Sequence, residues 1–509
     1  MKTIRWLQLS FILLCLIAGQ LHHYQWISWD VSWLMEVTKR MLHGGQYGLN
    51  YIETNPPLIL YLYSLPVWLS EHVSLHDYTL IRITGYVLSL LSLVLCYVLS
   101  KPVFNDNKNL KPWLFMLLLV FVFTILPSNQ FMQRENLFII LSMPYLMLVS
   151  LRFRNQPCSP LLSICIGFLA AIGFCIKPYY LLIPLILECM AYWKNKAQST
   201  SSRYETYALV VTVSLYVISI YVFFPSYFTL LGHLILPYYQ HYTNTPPRQL
   251  WLNQHVIFFY IAVLVYVMLK RHNPYQELAL ILAIVAVVSF GIFLLTGQPW
   301  YYHLLPMYSS SMILLLLNLD VLVVALRTGE IKSNWQYGRL LFLIVIALLI
   351  SMTQIALVNA ENVTMKRTSN DTINKLIRYF KSNHIKSVYT FSLHLYNITA
   401  ADYSGVKIVG RLPNHWLVAF IANHPSETQK SKQAAYDYRN IVVTDLKQYP
   451  DAIIINNPKS DAYIIPAHFN YIQFLTKDPR FKLIWSCYKL DTTFNDQQIY
   501  RLRQYCQNA

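Results

Sequence analysis

The sequence predicts a mainly α-helical membrane protein: a polytopic bundle of about eleven transmembrane helices, surface helices in its first outer loop, and a small extracytoplasmic α/β domain at the C-terminal end. Three observations carry this. Hydrophobic residues make up 55% of the 509 positions and charged residues only 12%, against roughly 25% charged in soluble domains. Apolar runs of spanning length recur as far as residue 359. Beyond it they stop, and short β-type runs alternate with helical stretches. The chain thus divides into a membrane part, 1–359, and a soluble part, 360–509.

The apolar runs lie at about 5–22, 79–100, 112–128, 135–151, 159–176, 179–193, 205–224, 254–269, 276–296, 304–326 and 339–359. A helix needs about 20 residues to cross the hydrocarbon core. The first run follows Lys2 and Arg5 like a signal peptide, but the many spans behind it point to a retained anchor. The net charge of +17 does not indicate nucleic acid, because the basic residues sit mostly in short connections where they orient helices and meet lipid phosphates. Lys101/Lys111, Arg152/Arg154, Lys270/Arg271 and Arg327/Arg339 all fall on the connections that should face the cytoplasm. With the N-terminus inside, an odd number of spans leaves the C-terminal domain outside.

The first outer loop, 23–78, holds QWISWDVSW. From Val31, residues Leu34, Val37 and Met41 share one helical face, Glu36 and Arg40 are spaced i,i+4, and Gly44-Gly45 stops the helix. After ETNPP, with Glu53, the run LILYLYSLPVWL (58–69) is too short to span and suits a helix lying along the interface. Asp30 opens the first of these helices. It is either a helix cap, a position aspartate favours, or a functional carboxylate.

Other polar residues gather on the same predicted side. Gln133, Arg134 and Glu135 open the fourth span, Lys177 precedes Pro178 in a tight turn, and Gln298, Tyr301 and His303 lie in GQPWYYHLLP. Ionisable groups at such depth are functional candidates. Each also has a plain structural role open to it: Arg134 as a snorkelling side chain, Glu135 as a helix-terminal charge, His303 as a hydrogen-bonding residue. The set suits transfer of a sugar from a lipid-linked phosphate. Such a reaction needs a base for the acceptor hydroxyl and positive charge for the departing phosphate.

In the C-terminal part, SVYTFSL (387–393), VKIVG (406–410), IVVT (441–444) and AIIIN (452–456) read as strands, and Thr372–Asn383 and Phe469–Lys477 as helices. Cys487 and Cys506 could form a disulfide outside the cytoplasm, although spacing alone does not pair them. The other six cysteines lie in or beside apolar runs.

SWDVSWLMEVTKRMLHGGQYGLNYIETNPPLILYLYSLP resembles the first outer loop of GT-C glycosyltransferases, closest to the dolichyl-phosphate-mannose–protein mannosyltransferase and aminoarabinose-transferase-like group. QRENLFIILSMPYL, IGFLAAIGFCIKPYYLLIPLILE and QPWYYHLLP also resemble segments of bacterial members, and the likeness covers most of 1–320. The resemblance implies an inverting transferase of a bacterial inner membrane that uses a polyprenyl-phosphate sugar. Asp30 would be its catalytic base, and Arg134, Lys177 and His303 would bind the donor phosphate. Glu53, Gln133, Glu135, Gln298 and Tyr301 would then support the site or bind substrate. The acceptor could be a glycolipid, a polysaccharide or a protein. No cofactor is required, and a divalent metal is optional in the group. Many relatives carry two adjacent acids where this chain has Asp30-Val31, which argues against a metal held by such a pair. A transporter or lipid flippase is the alternative from another class, but the sequence shows no duplicated halves of the kind common in such folds. A ligase or polymerase using a larger lipid-linked donor is the alternative within the same chemistry.

Overall fold

The computed structural model of the chain describes residues 2–105, 110–194, 203–239, 245–329, 335–369, 371–393, 396–412, 414–424, 428–457, 464–466, 469–494 and 497–506. It forms two compact units. The first comprises Met1–Trp26, Thr79–Ile218 and Pro246–Thr364, and the second Ile27–Tyr78, Ser219–Thr245 and Met365–Ala509. Compactness therefore groups the chain differently from composition, joining the first loop to the C-terminal region.

Each apolar run of the sequence is a helix. Among the described residues, 8 helices are long and apolar enough to cross a membrane, and Leu110–Ile125 and Pro160–Cys175 are shorter apolar helices. Leu182–Lys194 is another. The chain is an integral, multi-pass membrane protein. In the first unit the helix Arg134–Phe153 is buried along its whole length and packs against the helices 160–175, 276–296 and 301–328. Being apolar on every side, it belongs at the centre of a bundle. Polar groups in this interior meet each other. Arg152 bonds both carboxylate oxygens of Glu205 at 3.0 Å and Ser163 Oγ at 3.1 Å. Arg203 and Tyr145 meet Glu188 at 2.8 and 2.7 Å. Gly167 lets the chain at Glu205 come close, since a Cβ there would lie 2.2 Å from the Glu205 carbonyl oxygen.

The second unit contains a five-stranded sheet. Its strands are β1 (Ser387–Phe391), β2 (Lys407–Ile408), β3 (Ala452–Asn456), β4 (Tyr488–Phe494) and β5 (Gln497–Leu502), in the order β2-β1-β3-β5-β4. β1 runs parallel to β2 and β3, and β5 is antiparallel to β3 and β4. One strand expected from sequence is absent: IVVT lies inside the helix Gln429–Leu446. Its buried residues Ser431, Ala434, Tyr438, Val442 and Asp445 recur every three or four positions, so helical burial overrides the β-branched preference of a short run. The Thr428 side chain caps this helix, and Cys487 and Cys506 form a disulfide.

The same unit includes the two helices of the first loop, Trp29–Leu42 and Leu58–His72. The expected Glu36–Arg40 pair forms at 2.8 Å, and Gly44 adopts φ +82° just past the helix end, as a left-handed stop requires. Arg40 also donates to the carbonyls of Ile408 (2.5 Å) and Gly410 (2.9 Å). Lys39 pairs with both Asp77 and Asp402. Burial and the neighbouring Asp77 carboxylate hold the Asp402 carboxyl well above the usual range. The first loop is thus fastened to the C-terminal region by hydrogen bonds that Lys39 and Arg40 donate.

His415 is enclosed in this unit. Its Nε2 faces the Thr390 carbonyl, and Tyr438 Oη lies 2.7 Å from Nδ1. A carbonyl can only accept, so Nε2 carries the proton and Nδ1 accepts from the tyrosine. Burial pushes the imidazole down to about 4. In the unfolded chain it titrates near 6.5 and so binds more protons than the folded chain between those values. Stability is therefore expected to fall by about 3 kcal/mol as pH drops from 7 to 4. Hydrogen-exchange protection of β1 and β3 in the full chain checks this, and His415→Gln should flatten the dependence.

Candidate active site

The first unit assembles its candidate residues from three turns. The helix Arg134–Phe153 begins at Gln133, whose side chain accepts from the Arg134 amide at 3.2 Å. The preceding Met132 adopts φ +72°. Its amide donates to Asn136 Oδ1 at 3.0 Å, and Asn136 Nδ2 donates to the Phe123 carbonyl at 2.9 Å. This local bonding sets where the helix starts, and hence where Arg134 and Glu135 stand. Lys177 lies between the helix Pro160–Cys175 and the 3-10 turn Pro178–Leu181. It is extended, as the residue before a proline prefers. His303 lies in the first turn of the helix Tyr301–Thr328, after a left-handed Gly297 at φ +63°. The Tyr301 hydroxyl donates to the Leu126 carbonyl at 2.6 Å and fastens that turn.

These turns meet at Glu135. The carboxylate is 0% exposed, pairs through Oε1 with Lys177 Nζ, and has His303 Nδ1 3.4 Å from the same oxygen. Lys177 also sits over the rings of Tyr179 and Tyr302, at 5.8 and 5.6 Å. Arg134 and Lys177 both act electrostatically on His303. Tyr302 lies against the imidazole at 4.4 Å between ring centroids, and Gln298 is buried nearby in sequence. Lys177 and Glu135 thus form a buried ion pair at a helix N-terminus, with a second buried cation, Arg134, next to Glu135 in sequence. Among the described residues, Glu135 Oε2 and His303 Nε2 have no hydrogen-bond partner. His303 thus turns one nitrogen to the carboxylate and keeps the other for a further group.

Asp30 and Glu53 belong to the second unit. Ser28, and not Asp30, is the residue at the helix N-cap. Asp30 lies in the first turn, half-buried, where its charge favours the helix dipole. Trp33, one turn on, donates from its indole nitrogen to Glu53 Oε2 at 2.8 Å. Glu53 Oε1 accepts from the Asn55 amide at 3.0 Å and from its side chain at 2.6 Å. Trp33 and Asn55 thus hold the Glu53 carboxylate in place. Trp33 and Asn55, its holders, were not among the residues singled out from sequence. The signal for them was their place in SWDVSW and ETNPP, at short spacing from the two acids. Among the described residues, no group of three or more His, Cys, Asp or Glu side chains could hold a metal ion. Glu135 is taken up by Lys177, and no step below is routed through a metal ion.

The fold and the buried cluster define a polytopic helical membrane protein with a small sheet in its C-terminal region. No family model matches the chain, and no curated protein matches it in sequence. Solved structures do. The chain is similar to ArnT from Cupriavidus metallidurans in the apo state, with a TM-score of 0.58 and 11% identity, covering 98% of both chains. It is similar to the same ArnT bound to undecaprenyl phosphate, with a TM-score of 0.55 and 11% identity, covering 97% of both. At this identity the likeness concerns the fold.

A buried ion pair is expensive to break from one side, because the surviving charge loses its partner. Glu135→Gln or Lys177→Met alone should each cost about 3–5 kcal/mol of stability. The double variant should recover more than half of the summed loss. Thermal unfolding of the four proteins in one detergent measures the coupling.

Proposed function

We propose that the chain is an inverting glycosyltransferase that moves a sugar from a polyprenyl-phosphate donor to an acceptor hydroxyl at the outer face of a bacterial inner membrane. The observation that carries this reading is the fold shared end to end with a protein that binds undecaprenyl phosphate. The buried cations Arg134 and Lys177 support it, since positive charge is what a departing phosphate needs.

In this reading Asp30 takes the proton of the acceptor hydroxyl as its oxygen attacks the anomeric carbon. The bond from that carbon to the phosphate oxygen breaks, and both electrons leave with the polyprenyl phosphate. Attack from the face opposite the leaving group inverts the anomeric configuration. Arg134 and Lys177 stabilise the extra charge on the departing phosphate, and His303 lines the donor site, where its Nε2, the acceptor once Nδ1–H faces Glu135, takes a hydrogen bond from a hydroxyl of the donor. Because a phosphate leaves readily, one carboxylate suffices where glycoside hydrolysis needs two. Glu135 positions Lys177 and His303 without touching substrate, and Gln133, Gln298 and Tyr301 shape the turns. The acceptor is a glycolipid, a polysaccharide or a protein, and surface glycoconjugates compared by mass spectrometry with and without the protein would identify it.

Asp30→Asn should lower transfer from a lipid-linked sugar by about 10²–10⁴-fold, the usual worth of a positioned base, with donor binding kept. Arg134→Ala should instead weaken binding of the polyprenyl phosphate itself. Turnover by membrane-inserted Asp30→Asn close to that of the unaltered protein would remove Asp30 from the base role.

A further inference from the structure

The sheet of the second unit bears a cavity that the transfer chemistry does not use. It has a volume of about 440 Å³, within the range of small-ligand pockets. It opens at the carboxyl end of β3, where Ile455, Asn456 and Asn457 meet the β4–β5 hairpin. In open α/β sheets that end is where ligands bind, because the chain leaves the strands there and exposes unpaired backbone and loop side chains.

The lining is of two kinds. Four aromatic rings, Phe469, Tyr471, Trp485 and Tyr500, form one part. Trp485 stacks on Phe481 at 5.8 Å and lies 4.7 Å from Tyr500, so its indole is held in a defined plane while staying half-buried. Phe469 meets Tyr471 edge to face at 5.3 Å. The other part is uncharged and hydrogen-bonding: Asn457, Asn470, Thr493 and Gln498. Strand register sets Thr493 opposite Gln498 and Gln498 opposite Ile455, so these three form a row across the sheet, with Tyr500 two residues along β5 on the same face. The Tyr500 hydroxyl donates to Gln498 Oε1 at 3.1 Å, which orients the amide and keeps its N–H groups for a ligand.

None of the described lining residues is charged, in a chain of net charge +17. Among these residues a phosphate, a nucleotide or an acidic peptide finds no cation. The amides and hydroxyls disfavour a purely apolar guest, whose binding would strip them of water without replacement. A pyranose ring suits both parts. Its C–H face lies flat on an aromatic ring, and its hydroxyls exchange bonds with amide donors and acceptors. We infer that this cavity is a binding site for an uncharged saccharide. The inference concerns binding and stands whether or not the chain is a transferase.

The test uses the full chain in a detergent without a sugar headgroup, so that the detergent does not compete. Saturation-transfer NMR is run at millimolar concentration with methyl α-mannoside, methyl β-glucoside, maltotriose and chitotriose, and with glucuronate as the charged comparison. At least one neutral probe should show transfer to its ring C–H protons. Gln498→Ala should weaken it about tenfold, the worth of a hydrogen bond or two, and Thr493→Lys should abolish it. Both positions are exposed, so folding is kept. Trp485→Ala should also abolish it. No binding by any neutral probe, binding of glucuronate alone, or binding unchanged in both exposed variants would each overturn the inference.

Discussion

Glu135 is a carboxylate buried from water, and burying such a group is costly without a cation against it. It is fully buried in the first turn of a helix that is itself buried along its length. Lys177 supplies the charge, and much of the first unit follows from that need. The chain must turn sharply at Met132 so that the helix starts with Arg134 and Glu135 facing inward. The connection after Cys175 must stay extended at Lys177 so that its amine reaches the carboxylate. His303 must enter from a third turn to share the same oxygen. Such a pair adds little net stability, since desolvation offsets the attraction. What it does is specify one arrangement of three helix ends.

The second unit uses its cations in another way. Lys39 and Arg40, adjacent on the first-loop helix, reach Asp402 and the carbonyls of Ile408 and Gly410. The helix that carries Asp30 is thereby held by the C-terminal region as well as by its own partner helix, Leu58–His72. Residues separated by more than 360 positions form one body. The aromatic cavity at the end of β3 belongs to that same unit.

Much of this was legible in the sequence where the physics is local. The apolar runs became helices, Glu36 and Arg40 paired, Gly44 ended its helix, and 387–391 and 452–456 became neighbouring strands. IVVT misled because four β-branched or small residues say little against the burial of an eighteen-residue helix. The hairpin of β4 and β5 was missed because YKLDTTF and QQIYRL carry charges and amides where a buried strand would be apolar. The polar candidates near the helix ends were visible as residues out of place in apolar sequence. Their partners were not, since Glu135 and Lys177 are 42 positions apart.

By itself, the sequence determined that this is a polytopic membrane protein, where its helices lie, and which ionisable residues their apolar surroundings could not tolerate unaccompanied. Those are consequences of hydropathy and short-range spacing, which act along the chain. Only the tertiary structure decided that Glu135 holds Lys177 and His303, that Ser28 takes the cap beside Asp30, that Trp33 and Asn55 hold Glu53, and that Cys487 meets Cys506. Pairing of buried polar groups depends on which helix ends and loops meet in space, and no one-dimensional pattern of polarity contains that information.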